Sequence, residues 1–160
     1  MKAVTVKQIK DELKHRSQSE LMELSLKLAR FKKENKELLT YLLFEAHDEE
    51  SYIQSVKGLV DDLFDQINTK SFFYIRKSVR KILSLTKKYI RYSKKKETEV
   101  ELLLHFCKRL KEFKPSISRS PRLTNVYYTQ LKLTKKALSY LHEDLQYDYQ
   151  LELDELTGDE

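Results

Sequence analysis

Apolar residues recur every three or four positions along most of the chain, a spacing that is typical of amphipathic helices. Seven such segments are predicted, at about residues 5–14, 17–31, 38–46, 48–67, 72–95, 97–114 and 125–146. The polar connections between them are short, so neighbouring helices should run antiparallel. We expect three successive helical hairpins, over residues 17–46, 48–95 and 97–146.

These elements predict an all-α fold of six or seven mostly antiparallel helices. The chain has only 2 glycines and 2 prolines, too few for a protein built from strands joined by tight turns. No fixed repeat period links the hairpins, so a compact bundle and a short, irregular, solenoid-like array both remain open. We expect a single domain over residues 1–146, followed by an acidic, frayed C-terminal tail over residues 147–160.

Two helix starts carry clear capping signals. Ser17 and Glu20 have the spacing of a capping box, in which a hydroxyl and a carboxylate bind free backbone amides reciprocally. Asp48 is a good N-cap for the helix that follows it. Farther along the chain, residues 116–122 are rich in Ser and Arg and predict a connecting loop.

The predicted helix 72–95 has a complete separation of apolar and basic residues. With Ile75 placed at 0° and each residue advancing by about 100°, its apolar side chains occupy the arc from about 280° to 80°. Nine cations occupy the opposite arc, from about 100° to 240°. They are Arg76, Lys77, Arg80, Lys81, Lys87, Lys88, Arg91, Lys94 and Lys95.

The charge of the chain is concentrated in its middle third. Residues 70–122 hold 17 basic and 4 acidic side chains, whereas the whole protein has a net charge of +6. Like charges on one helical face repel, so an acidic neighbour or an anionic partner should offset them. Asp61, Asp62 and Asp65 would lie beside Arg76 and Lys77 in an antiparallel hairpin, but they are too few to neutralise the whole face.

No constellation of residues predicts catalysis, a cofactor or a metal site. A Glu-x-x-His pair at Glu12 and His15 lacks the second copy that a helical di-iron site requires. Cys107, the single cysteine, lies on an apolar helical stripe and is expected to be buried. With no possible internal disulfide, no signal-peptide pattern and no membrane-spanning stretch, a cytoplasmic protein without membrane contact is expected.

The sequence therefore predicts a non-catalytic binding or scaffolding protein that acts through helical surfaces on an unidentified protein partner. No small-molecule substrate is indicated. The alternative is sequence-independent binding of nucleic acid or another polyanion through the basic face of helix 72–95, to which Arg119 and Arg122 of the loop would contribute. For this face itself, the ordinary interpretation of a run of charges is a solvated surface that serves only solubility. Exposure of the face, or its neutralisation by acidic residues, distinguishes these hypotheses.

Overall fold

The computed structural model describes residues 1–158, and their regular structure is entirely helical, with no strand. The helices are α1 (Val6–Leu13), α2 (Gln18–Phe31), α3 (Lys33–Thr40), α4 (Glu49–Asp65), α5 (Phe72–Ser93), α6 (Lys96–Glu112), α7 (Pro121–Leu138) and α8 (Glu143–Thr157). A π-helical turn covers Tyr41–Glu45 and a 3-10 turn covers Ile117–Arg119. The predicted all-α class is confirmed, although the described residues form eight α-helices rather than six or seven.

The described residues divide into two compact units, of which unit 1 is Met1–Phe44 and unit 2 begins at Glu45. Unit 1 contains α1, α2 and α3, and none of these helices contains a buried residue. Within unit 1, α2 packs against α3, and the Asn35 side chain donates a hydrogen bond to the Leu28 carbonyl at 2.7 Å. The capping box at the start of α2 is confirmed, with the Glu20 amide 3.1 Å from Ser17 Oγ.

Unit 2 is built around α6, which packs against α4, α5, α7 and α8. Helix α6 contributes eight buried residues to the core, and its Phe106 is completely buried, 5.7 Å from the Phe64 ring of α4. The predicted N-cap of α4 is also confirmed, because Asp48 accepts a hydrogen bond from the Ser51 amide. A central helix with four neighbours accounts for the nearly continuous apolar run of its sequence.

The half-buried carboxylate of Glu49 ties the start of α4 to the connection between α5 and α6. It accepts hydrogen bonds from Ser93 Oγ and from Thr98 Oγ1, the latter at 2.6 Å, and it pairs with Lys95 Nζ at 3.4 Å. One carboxylate thus positions the end of α5, since its partners lie at the end of α5, in the connection and at the start of α6.

The C-terminal part of the chain differs from the predicted helix 125–146 and frayed tail. Helix α7 already begins at Pro121, because proline suits the first helical position, and it ends at Leu138. His142 then caps a separate helix, α8, which continues to Thr157. This helix is docked by two apolar residues, Tyr149 and Leu153, that are buried in unit 2. Residues 159 and 160 of the predicted tail lie outside the described residues.

Candidate functional site

The orientation of α5 is set by its apolar side. Ile75, Val79 and Ile82 are buried, at 0–2% exposure, where α5 packs against α4 and α6. The opposite side of α5 therefore faces water. It carries seven cations, and we call this side the basic face. Lys77, Arg80, Lys81 and Arg91 are exposed, and Arg76, Lys87 and Lys88 are half-buried.

Two predicted members of this face, Lys94 and Lys95, lie beyond the end of the helix. Lys94 has the left-handed backbone conformation, with φ at 60°, and its amide closes the last turn by bonding to the Ile90 carbonyl. Lys95 precedes α6 and pairs with Glu49. The basic face thus spans Arg76 to Arg91, about 22 Å along the helix axis, and is shorter than predicted.

The acidic side chains of α4 do not neutralise the basic face. Asp61 and Asp65 were expected beside Arg76 and Lys77, but they face α6 instead. Asp61 Oδ1 lies 2.7 Å from His105 Nε2, and Asp65 Oδ1 lies 2.6 Å from a guanidinium nitrogen of Arg109.

The described carboxylates form their ion pairs elsewhere in the molecule. None lies within 4.0 Å of the side-chain nitrogens of Arg76, Lys77, Arg80, Lys81, Lys87 or Arg91. Most of the basic face is therefore exposed without an internal counter-charge.

The predicted loop cations lie at the N-terminal end of this face. Arg122, the second residue of α7, lines a cleft of about 280 Å³ together with Phe73, Arg76, Lys77 and Arg80. We call these five residues the basic cluster. Arg119 lies nearby, since its guanidinium carbon is 5.8 Å from the centre of the Phe72 ring. The structure thus brings together cations that are more than 40 positions apart in the sequence.

Two helix N-termini also meet at the basic cluster. Phe73 is the second residue of α5 and Arg122 is the second residue of α7, and both line the cleft. Neither helix has an acidic residue in its first turn, and neither N-cap, Ser71 or Ser120, makes a side-chain capping bond. The positive ends of the two helix dipoles therefore add to the potential of the cations and attract anions.

Sequence reasoning missed Phe73. On the helical projection this residue falls at about 160°, in the centre of the basic arc, so the predicted complete separation of apolar and basic residues is wrong at this position. Its position among the cations follows from the helical period alone, because Phe73 lies two residues before Ile75 in the same helix. The structure leaves the Phe73 side chain 62% exposed.

A second polar cleft, of about 630 Å³, lies between α4, α6 and α8. Its central ion pair joins Lys57 Nζ and Glu101 Oε2 at 2.5 Å, and the Tyr149 hydroxyl donates to the other oxygen of Glu101 at 2.8 Å. Burial, reinforced by the charge of Glu101, raises the pKa of the Glu152 carboxyl. Burial and the same carboxylate also raise the pKa of the Tyr149 hydroxyl. The Tyr149 hydrogen bond joins α8 to α6, and the Lys57–Glu101 ion pair joins α4 to α6.

The prediction that Cys107 is buried is confirmed. Its side chain is 0% exposed on α6, and burial raises the pKa of the thiol to about 12. A thiol that stays protonated at neutral pH is a poor nucleophile. Among residues 1–158, no group of three His, Cys, Asp or Glu side chains is placed to hold a metal ion. None of the described helices is both long enough and apolar enough to cross a membrane.

Comparison of this chain with protein-family models, with curated proteins and with solved structures finds no match.

Proposed function

We propose that this protein is a non-catalytic binding protein and that its basic face binds nucleic acid without reading the base sequence. The observation that carries the proposal is that most of this face is exposed and that six of its cations, Arg76, Lys77, Arg80, Lys81, Lys87 and Arg91, have no described carboxylate within ion-pair distance. Seven cations on one helix and two from a neighbouring segment offer many contacts to phosphates and few groups suited to reading base edges. A face that only served solubility would not require Arg119 and Arg122 to converge on the same end of the helix.

Binding of this kind should be strongly salt-dependent, because each neutralised phosphate releases counterions. Fluorescence anisotropy with a labelled 20-nucleotide DNA of mixed sequence measures the dissociation constant at 50, 100 and 200 mM NaCl. For six or seven phosphate contacts we expect affinity to fall on the order of 1,000-fold between 50 and 200 mM.

An unrelated sequence of the same length serves as the control and should bind equally well. Absence of binding at 50 mM NaCl would contradict the proposal and leave a solvated face. A strong preference for one sequence would show that base edges are read.

Protein binding remains a second candidate function, and unit 1 favours it. Its helices bear large apolar side chains that are exposed, including Leu28 at 61% and Phe31 at 80%. Contiguous exposed apolar residues commonly mark protein interaction sites, and a unit of 44 residues rarely supplies its own core.

In a purified sample, other copies of the chain are available to cover this apolar surface. We therefore expect light scattering to give a mass that is a multiple of 19.2 kDa at micromolar concentration. Changing Leu28 and Phe31 together to Glu should lower that mass to the monomer. A native protein that is monomeric at all concentrations would exclude self-association as the use of this surface.

A further inference from the structure

We infer that the basic cluster is a stacking site for single-stranded nucleic acid, an inference that rests on the proposed function and names its ligand. The key residue is Phe73, an apolar ring surrounded by Arg76, Lys77, Arg80 and Arg122 in one cleft. An exposed ring among cations has the two properties that a single strand requires. The ring can take a base against its face, and the cations can hold the adjoining phosphates.

The neighbouring aromatic residues leave most of Phe73 uncovered. Phe72, the preceding residue, is half-buried with the Arg119 guanidinium over its ring. Tyr74, the following residue, contacts Phe73 edge-to-face, with ring centres 5.5 Å apart and planes at 79°. Phe73 is thus supported from the side by another ring and still keeps 62% of its surface exposed.

The chemistry of the cluster favours a single strand over a duplex. In a duplex the faces of the bases are covered by their neighbours in the stack, so a protein ring reaches them only if the helix is opened. In a single strand the faces of the bases are accessible, and any base can stack on an aromatic ring. The cations alone would bind both forms, so Phe73 should account for the difference between them.

Substitution of Phe73 tests this inference in the full-length protein. Fluorescence anisotropy gives dissociation constants for a 20-nucleotide oligo(dT), a 20-nucleotide oligo(rU) and a 20-base-pair DNA duplex at one salt concentration. Stacking of one base is worth about 1–3 kcal/mol, so Phe73→Ala should weaken binding to both single strands by about 5- to 150-fold. Binding to the duplex should change less than about 2-fold, since no base stacks there.

Two further variants separate stacking from other roles of the ring. Phe73→Leu keeps an apolar side chain but removes the ring, and it should weaken single-strand binding nearly as much as Phe73→Ala. Tyr147→Ala is the matched control, because Tyr147 on α8 is also exposed, at 68%, and does not line the cleft. Single-strand binding by this control should equal that of the native protein.

A direct signal is also available, because the protein contains no tryptophan. In Phe73→Trp the new indole is the only tryptophan, and stacking of a base on it should quench its fluorescence when oligo(dT) is added but not when duplex is added. Equal losses on single strands and duplex in Phe73→Ala, or unquenched tryptophan in the bound complex, would overturn the stacking site and leave the proposed function standing. Failure of the native protein to bind any of the three probes would overturn both.

Discussion

Reversing three charges in the centre of the basic face should abolish nucleic-acid binding. In the variant with Arg80, Lys87 and Arg91 changed to Glu, three phosphate contacts are replaced by three repulsive charges. We expect the affinity for a 20-nucleotide DNA at 100 mM NaCl to fall by more than about 100-fold. The free energy of unfolding should change by less than about 1 kcal/mol. Exposed charges contribute little to helix stability, and like charges on one face repel one another.

A matched variant controls for total charge. The triple reversal removes six charge units and takes the net charge of the protein from +6 to zero. Changing Lys132, Lys135 and Lys136 to Glu does the same at exposed positions of α7. If binding depends on the basic face, the control variant should retain most of the affinity.

Equal losses in the two variants would mean that only net charge matters and would contradict a localised site. Loss of the folded state in the first variant, detected by circular dichroism, would show that the face is paired internally.

Truncation of Phe106 should give the largest loss of stability. Its side chain is completely buried on α6 and packs 5.7 Å from the Phe64 ring in the core of unit 2. Phe106→Ala removes this buried surface and leaves a cavity, which should cost about 3–5 kcal/mol. Since small domains are stabilised by only about 5–15 kcal/mol, the midpoint of urea unfolding should fall sharply.

The same substitution at Phe73 provides the comparison. Phe73 is 62% exposed, so Phe73→Ala should cost less than about 1 kcal/mol in urea unfolding. Phe106→Ala should therefore lower the stability, whereas Phe73→Ala should weaken single-strand binding. A small stability loss for Phe106→Ala would contradict the central place of α6 in the core.

Local signals in the sequence predicted most of the helices and the amphipathic character of α5. The Ser17 capping box and the Asp48 N-cap involve residues three positions apart, so their geometry follows from a single turn of helix. The same holds for the separation of apolar and basic arcs on α5, which depends only on helical period and on the existence of some core to bury Ile75 and Val79.

The ends of elements were less predictable, because contacts distant in the sequence decide them. Nothing local indicates that Lys94 turns to the left-handed conformation, and the hydrogen bonds that Glu49 accepts from Ser93 and Thr98 hold that end of α5 from another helix. Similarly, the sequence of α8 predicts an acidic tail. The helix is docked because Tyr149 is buried in the core and donates a hydrogen bond to the Glu101 carboxylate, which is distant in the sequence.

The sequence by itself determined the all-helical class, the amphipathic α5 and the concentration of positive charge upon it. Only the tertiary structure decided whether that charge is free to bind, because the outcome depends on which carboxylates lie within a few ångströms. Asp61 and Asp65 are near the basic face in sequence, yet they pair with His105 and Arg109 on α6. Arg122 is far from the face in sequence, yet it completes the cluster around Phe73. Coulombic attraction falls with distance in space, and chain separation does not measure that distance.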